Sequence, residues 1–542
     1  MVADSAQLGQ KARSLFRLAV VTCAILVSVI PATLVRIPPI LDYPNHYVRL
    51  WLITGGARLP PVARMYAVDW TYASTNIAID LVAWALKGIA PVSVIGPIVL
   101  MLAIILRPLG IILLGQTLYE SARWWHVLCF VLAWNWVLIA GYLNFEISLG
   151  LAMLGAAVDV RWTKYGHAVL VPLRIAISGV VLVAHPFGLI FYAALLVGLA
   201  FGESFAPLLS ACNLRRAILR IFISCLPTLV PVVALVMLAP VLPGGHDKGH
   251  PFVTTWQEPT VSAHVSMLLI GLKTYNVSID AIFGTILALP VLIALIHNRL
   301  RIHAGLLVVT IVLTVAALLM PSMIFGIAGV DTRLPGMIAL SFSVAVLPDF
   351  RFSRRVAACA IATAMLVVAA RSAWIGRIWL ERQADFASLS RALQQVPQGA
   401  AILPLEHMPS AQDLTRAPVG RFLGNNPLFW HYPTLAIMDR RDFEPTLFAA
   451  AGQQPIRVLP PWNALAVAAG PIAPIDKVGD PNQRVAPYLN RWSDCFDYIL
   501  VVNADMPNAG GPLLASPIIV LMKNEGFAEL YRVIRSADHT CF

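Results

Sequence analysis

The segment Leu41-Asp42-Tyr43-Pro44-Asn45-His46-Tyr47 gathers a carboxylate, an imidazole and two phenols directly after a long apolar run. A carboxylate within hydrogen-bond reach of a hydroxyl can take its proton, which makes Asp42 the candidate general base. Asp close before Pro is also a common helix start, so the same residue could instead cap a helix beginning near Pro44. Two cations could hold a negatively charged oxygen group: Lys273 in Leu272-Lys273-Thr274-Tyr275 and Arg333 in Gly329-Val330-Asp331-Thr332-Arg333. Arg is the better match because its planar fork binds two oxygens at once. Arg333 could equally pair with Asp331 or snorkel to a membrane surface. His46 and His185 join this set as substrate-side polar groups, His185 standing before Pro186 at a sharp turn. Asp42, His46, Glu146 and His185 have the donor types for a divalent cation, but no spacing such as HxxxH accompanies them, and no metal site is assigned.

These side chains need a frame, and composition identifies it. Hydrophobic residues make up 58% of the chain, charged residues 12%, and mean hydropathy is +0.76. A soluble domain could not hide that much apolar surface. Runs long enough for about 30 Å of hydrocarbon fall near 16–35, 95–115, 126–141, 146–160, 167–184, 187–203, 217–241, 279–297, 304–321, 334–348 and 355–375. About eleven transmembrane helices are therefore expected.

The net charge of +11 would suggest nucleic acid in a soluble protein, but here the cations sit in short loops. Lys11, Arg13 and Arg17 precede the first run, and alternate loops carry Arg123, Arg161 with Lys164, Arg215-Arg216 with Arg220, Arg299 with Arg301, and Arg351 with Arg354-Arg355. The positive-inside rule then puts the N-terminus in the cytoplasm. It puts the 36–94, 241–278 and 322–333 loops and the C-terminal region outside. The first run has the charge order of a signal peptide but no small-residue cleavage site, and is read as a retained anchor.

The 36–94 loop is too polar to span and too apolar to float free. Within it, Ile77 to Lys87 places apolar residues on one helical face, with Asp80 and Lys87 on or near the other, as in a helix lying on the membrane surface. Asp80 reads as solvent-facing, or as lining the site. From about 376 to 542 charges return and Pro, Gly and Asn punctuate short apolar stretches such as Ala401–Leu405 and Tyr498–Asn503. This is a soluble α/β domain, with a first helix at Asp385–Gln395 and a late one at Asn524–Tyr531. Five of the seven cysteines lie in or beside apolar runs and none shows CxxC spacing. Cys495 and Cys541 both fall in the C-terminal domain, where an oxidising compartment permits either a disulfide or two free thiols.

The order of these parts resembles the glycosyltransferase C superfamily, which includes bacterial aminoarabinose transferases and protein O-mannosyltransferases. Residues 1–375 would be its polytopic domain. The resemblance implies an early catalytic acid in a large outer loop, here Asp42, and a second acid in the next outer loop, here Glu146 in Gly141-Tyr142-Leu143-Asn144-Phe145-Glu146. The chain departs from the pattern at Asn144, where many members have an Asp near a basic residue, and at Ser74-Thr75-Asn76, which replaces a proline-rich helix entry. The whole chain also resembles a group of uncharacterised bacterial membrane proteins with this Asp-Tyr-Pro-Asn-His signature. The implied activity is inverting transfer of a sugar from a polyprenyl-phosphate donor to a lipid or glycan acceptor at the periplasmic face of the bacterial inner membrane.

Two other classes share the general architecture. A transporter or lipid flippase places ionisable groups at the membrane midplane and shows repeated halves. Arg107-Pro108 and Arg174 are the midspan exceptions here, while the acids gather at the ends of runs. A noncatalytic envelope scaffold would need no acid at all.

Overall fold

A computed structural model of the protein describes residues 2–119, 124–204, 211–241, 261–324, 327–350, 352–468, 470–480, 486–535 and 541. Arg123, Arg351 and the stretch 242–260 of the expected outer loop lie outside the described residues.

The chain is mostly helical, and each expected run but one coincides with a helix. Among the described residues, six helices are long and apolar enough to cross a membrane: within Val92–Tyr119, Leu143–Tyr165, His167–Ala184, Ile218–Leu238, Val277–Ile296 and Arg354–Leu393. Shorter apolar helices lie at Leu18–Leu34, Pro186–Gly202 and Ala304–Leu319. Leu219, Phe222, Val233 and Met237 on one of the long helices point away from the protein, Met237 being 79% exposed. Such an apolar surface is compatible with a hydrocarbon environment.

The exception is the 126–141 run. It forms three short pieces, Trp124–Leu128, a 3-10 turn at Cys129–Ala133, and Trp136–Ile139. Asn135 is extended and caps the last piece, its side chain accepting the Leu138 amide at 2.8 Å. Breaking a helix among apolar side chains frees carbonyls that must find donors. Arg107 supplies them, donating to the Leu132 and Ala133 carbonyls at 3.1 and 2.8 Å. The helix carrying Arg107 packs closely on Leu143–Trp162, where Gly150 leaves room for the Leu106 backbone.

The 36–94 segment and the C-terminal residues share one core. Tyr43–Thr54 and Ala78–Leu86 are helices, and the strand Tyr66–Val68 pairs antiparallel with Ile456–Val458. The C-terminal part carries a five-stranded sheet in the order Ala473–Pro474, Ile402–Glu406, Tyr498–Val502, Ala528–Val533, Ile519–Asn524. Its first two neighbouring pairs are parallel and the rest antiparallel. The Gln383–Leu393 helix packs on this sheet, close to the expected first helix.

The expected late helix at 524–531 is instead the hairpin between the last two strands. Ala528 and Leu530 are buried while Glu529 and Tyr531 are less so, which is the alternation of a strand, and Gly526 at φ +79° makes the reversal. Cys495 and Cys541 are joined by a disulfide.

Candidate functional site

Two backbone segments meet to build the Asp42 site. The Leu41 and Asp42 amides donate to the Ile139 and Ala140 carbonyls at 3.0 and 3.3 Å. His46 Nε2 donates to the Gly141 carbonyl at 3.0 Å. Gly141 has φ +94°, and a Cβ there would lie 2.6 Å from the Asp42 Cβ, so the approach needs glycine twice over.

Asp42 stands at the N-cap of Tyr43–Thr54 with Pro44 in the first turn, but its side chain makes no capping bond. The carboxylate, 14% exposed, instead has Oδ1 3.5 Å from Nε2 of His431 in the C-terminal part of the chain. Burial pushes its pKa up to about 7, while the charges of Arg49 and Arg333 pull it back. That range suits a base working near neutral pH.

Arg333 is positioned by the start of Val330–Ala345. Its Nη1 donates to the Gly329 carbonyl at 2.7 Å, and the guanidinium lies over the Tyr142 ring at 4.9 Å and the Phe187 ring at 5.2 Å. His185 is on the same side. Its Nδ1 accepts the Phe187 amide at 3.1 Å, and its ring meets Phe145 edge-on at 5.4 Å. His185 also feels the charge of Arg333. Asp42, His46, Arg333 and His185 are thus linked through Gly141, Tyr142 and Phe187.

The other expected site residues are used differently. Asp80 does not face solvent: it is fully buried and binds Arg49 in a two-pronged pair at 2.6 and 3.1 Å. The Ile79 amide donates to Asn144 Oδ1 at 2.9 Å, and Asn144 Nδ2 donates to the Asn76 carbonyl, so Asn144 anchors the start of Ala78–Leu86. Leu81 and Trp84 are the exposed large side chains of that helix, while Asp80 lies on its buried side. Glu146 is fully buried with Oε2 2.6 Å from Arg107 Nε, which occupies the acid in packing. Lys273 lines a separate, largely apolar cavity of about 580 Å³ with Leu272, Asp280 and Phe342, and among the described residues no ion pair or hydrogen bond joins it to Asp42.

Arg174, the second midspan cation, forms a two-pronged pair with Asp159 at 2.7 and 2.9 Å. Among the described residues, no three His, Cys, Asp or Glu side chains are arranged to hold a metal ion.

Sequence reasoning missed His431, Asn45 as its neighbour, and Arg49. The spacing of Asn45 and Arg49, one helical turn apart and in register with Asp42, was a readable signal. His431, far along the chain, offered none. Compared with known proteins, the chain matches no family model, no curated protein and no solved structure.

Proposed function

We propose that the chain is an integral inner-membrane glycosyltransferase that moves a sugar from a polyprenyl-phosphate donor to an acceptor hydroxyl on the periplasmic side. Asp42 is the general base. The acceptor O–H proton passes to the Asp42 carboxylate as the acceptor oxygen attacks the anomeric carbon. The bond from that carbon to the phosphate oxygen breaks with inversion, and Arg333 takes the charge of the departing phosphate. The supporting observation is Asp42 itself: a mostly buried carboxylate at a helix start, committed among the described residues to neither a capping bond nor an Arg or Lys ion pair, with its pKa pushed to about 7.

In this reading Glu146 is a structural partner of Arg107 and not a second base. Arg49, held by Asp80, places a positive charge that acts on Asp42. The test is release of free polyprenyl phosphate by proteoliposomes supplied with an envelope lipid extract. Wild type should release it and Asp42→Asn should not; equal release by both rejects the reading.

A second reading, a transporter or lipid flippase, draws on the buried Arg107–Glu146 and Arg174–Asp159 pairs inside long apolar helices. It expects lipid movement without any change in covalent structure.

A further inference from the structure

The C-terminal domain reaches into the Asp42 site with one side chain. His431 is 4% exposed, and its Nε2 lies 3.5 Å from Asp42 Oδ1. What that nitrogen carries is decided on the far side of the ring. Asn45 Oδ1 accepts the Phe448 amide at 2.9 Å, which fixes the orientation of the Asn45 side chain. Its Nδ2, able only to donate, serves the Thr446 carbonyl at 3.1 Å and faces His431 Nδ1 at 3.4 Å. Nδ1 is therefore the acceptor, and the single proton of a neutral imidazole sits on Nε2, the nitrogen 3.5 Å from Asp42 Oδ1. The ring is held edge-on to Phe448 at 4.7 Å. Burial keeps it neutral, pushing its pKa down to about 3.

We propose that His431 is a positioning residue of the Asp42 site: its Nε2–H holds one carboxylate oxygen and turns the other toward the acceptor hydroxyl. The contact is longer than a closed hydrogen bond of about 3 Å, as is common before substrate tightens a site. His431 keeps its proton throughout, and the acceptor proton goes to the free Asp42 oxygen. The other groups bearing on Asp42 are Arg49, Arg333 and Tyr142. His46 spends its Nε2–H on the Gly141 carbonyl and offers Asp42 no competing donor. The site therefore draws one of its groups from the C-terminal part of the chain, which shares a core with the 36–94 segment. The inference rests on the transferase reading.

His431→Phe keeps the ring volume and removes the donor; His431→Gln keeps a donor at similar reach, and His431→Leu repeats the deletion should the larger ring not pack. Infrared titration of the full-length protein in nanodiscs follows the Asp42 carboxyl band, assigned by its loss in Asp42→Asn. The Phe or Leu variant should titrate higher by roughly one pH unit, with release of polyprenyl phosphate lowered about tenfold. The Gln variant should return both toward wild type. An unmoved Asp42 titration in a folded His431→Phe or His431→Leu protein overturns the inference. The titration does not depend on turnover, so the two readings fail separately: release persisting in Asp42→Asn rejects the transferase, while a dead Asp42→Asn with an indifferent His431 rejects only the positioning role.

Discussion

Gly141 and Asp42 touch backbone to backbone: a Cβ on Gly141 would stand 2.7 Å from the Asp42 amide nitrogen as well as 2.6 Å from its Cβ. The glycine therefore sets where the carboxylate sits. Gly141→Ala should cost about 1–2 kcal/mol for the positive φ alone, and more through displacement of Asp42. Gly166→Ala is the control, since Gly166 has φ +78° with nothing within 4 Å. Thermal unfolding in detergent should place the Gly141 variant clearly below the Gly166 variant, and only the former should lose polyprenyl phosphate release.

Arg107 joins Glu146 to two carbonyls of a broken helix. Removing one partner of a buried pair costs about 3–5 kcal/mol. Arg107→Met strands a buried carboxylate together with both carbonyls, whereas Glu146→Leu leaves the guanidinium with its carbonyl partners. Melting temperature should therefore fall further for Arg107→Met. The double variant should not recover wild-type stability, because the Leu132 and Ala133 carbonyls remain without their donor.

Three acids of the C-terminal part are lifted by burial, Glu406 to about 8 and Asp442 and Glu444 to about 7. Each binds its proton more tightly folded than unfolded. Their contribution is full below the unfolded carboxyl range and is lost as pH rises through 7 to 8. The buried His431 acts oppositely, but only below its ordinary value of 6.5. Between pH 6.5 and 8.5 the acids act without it, and melting temperature should fall as pH rises. Glu406→Gln should flatten that slope.

The Cys495–Cys541 disulfide closes a loop of 46 residues. Loop entropy assigns it about 4 kcal/mol. Reduction should lower the melting temperature of the wild type and leave Cys495→Ala/Cys541→Ala unmoved.

Much of the frame was legible because hydropathy is local. All but one of the apolar runs became helices, and the helix at Ala78–Leu86 and the strands at Ile402–Glu406 and Tyr498–Val502 lie close to where periodicity put them. Asn524–Tyr531 misled because a short run broken by Glu525 and Gly526 fits a helix as readily as a hairpin until its partner strand is known. The 126–141 run misled because its break depends on Arg107, a donor from another helix. Type and position singled out Asp42 and Arg333, and in the structure the charge of Arg333 acts on the Asp42 carboxyl. His431 could not be read from sequence, since its approach to Asp42 depends on long-range contacts, Tyr66–Val68 on Ile456–Val458 and Asn45 on Thr446 and Phe448. Asp80 read as solvent-facing because nothing in its own helix reveals Arg49 from the neighbouring one.

If Asp42 drives sugar transfer to an envelope acceptor, its loss must change the envelope glycans. Mass spectrometry of envelope glycolipids and glycans from cells lacking the gene, complemented with wild type or Asp42→Asn at equal membrane levels, tests it most directly. The account predicts a missing sugar mass that wild type restores and Asp42→Asn does not. A profile restored by both, or one with nothing missing, contradicts it and leaves transport or a scaffold as the better description.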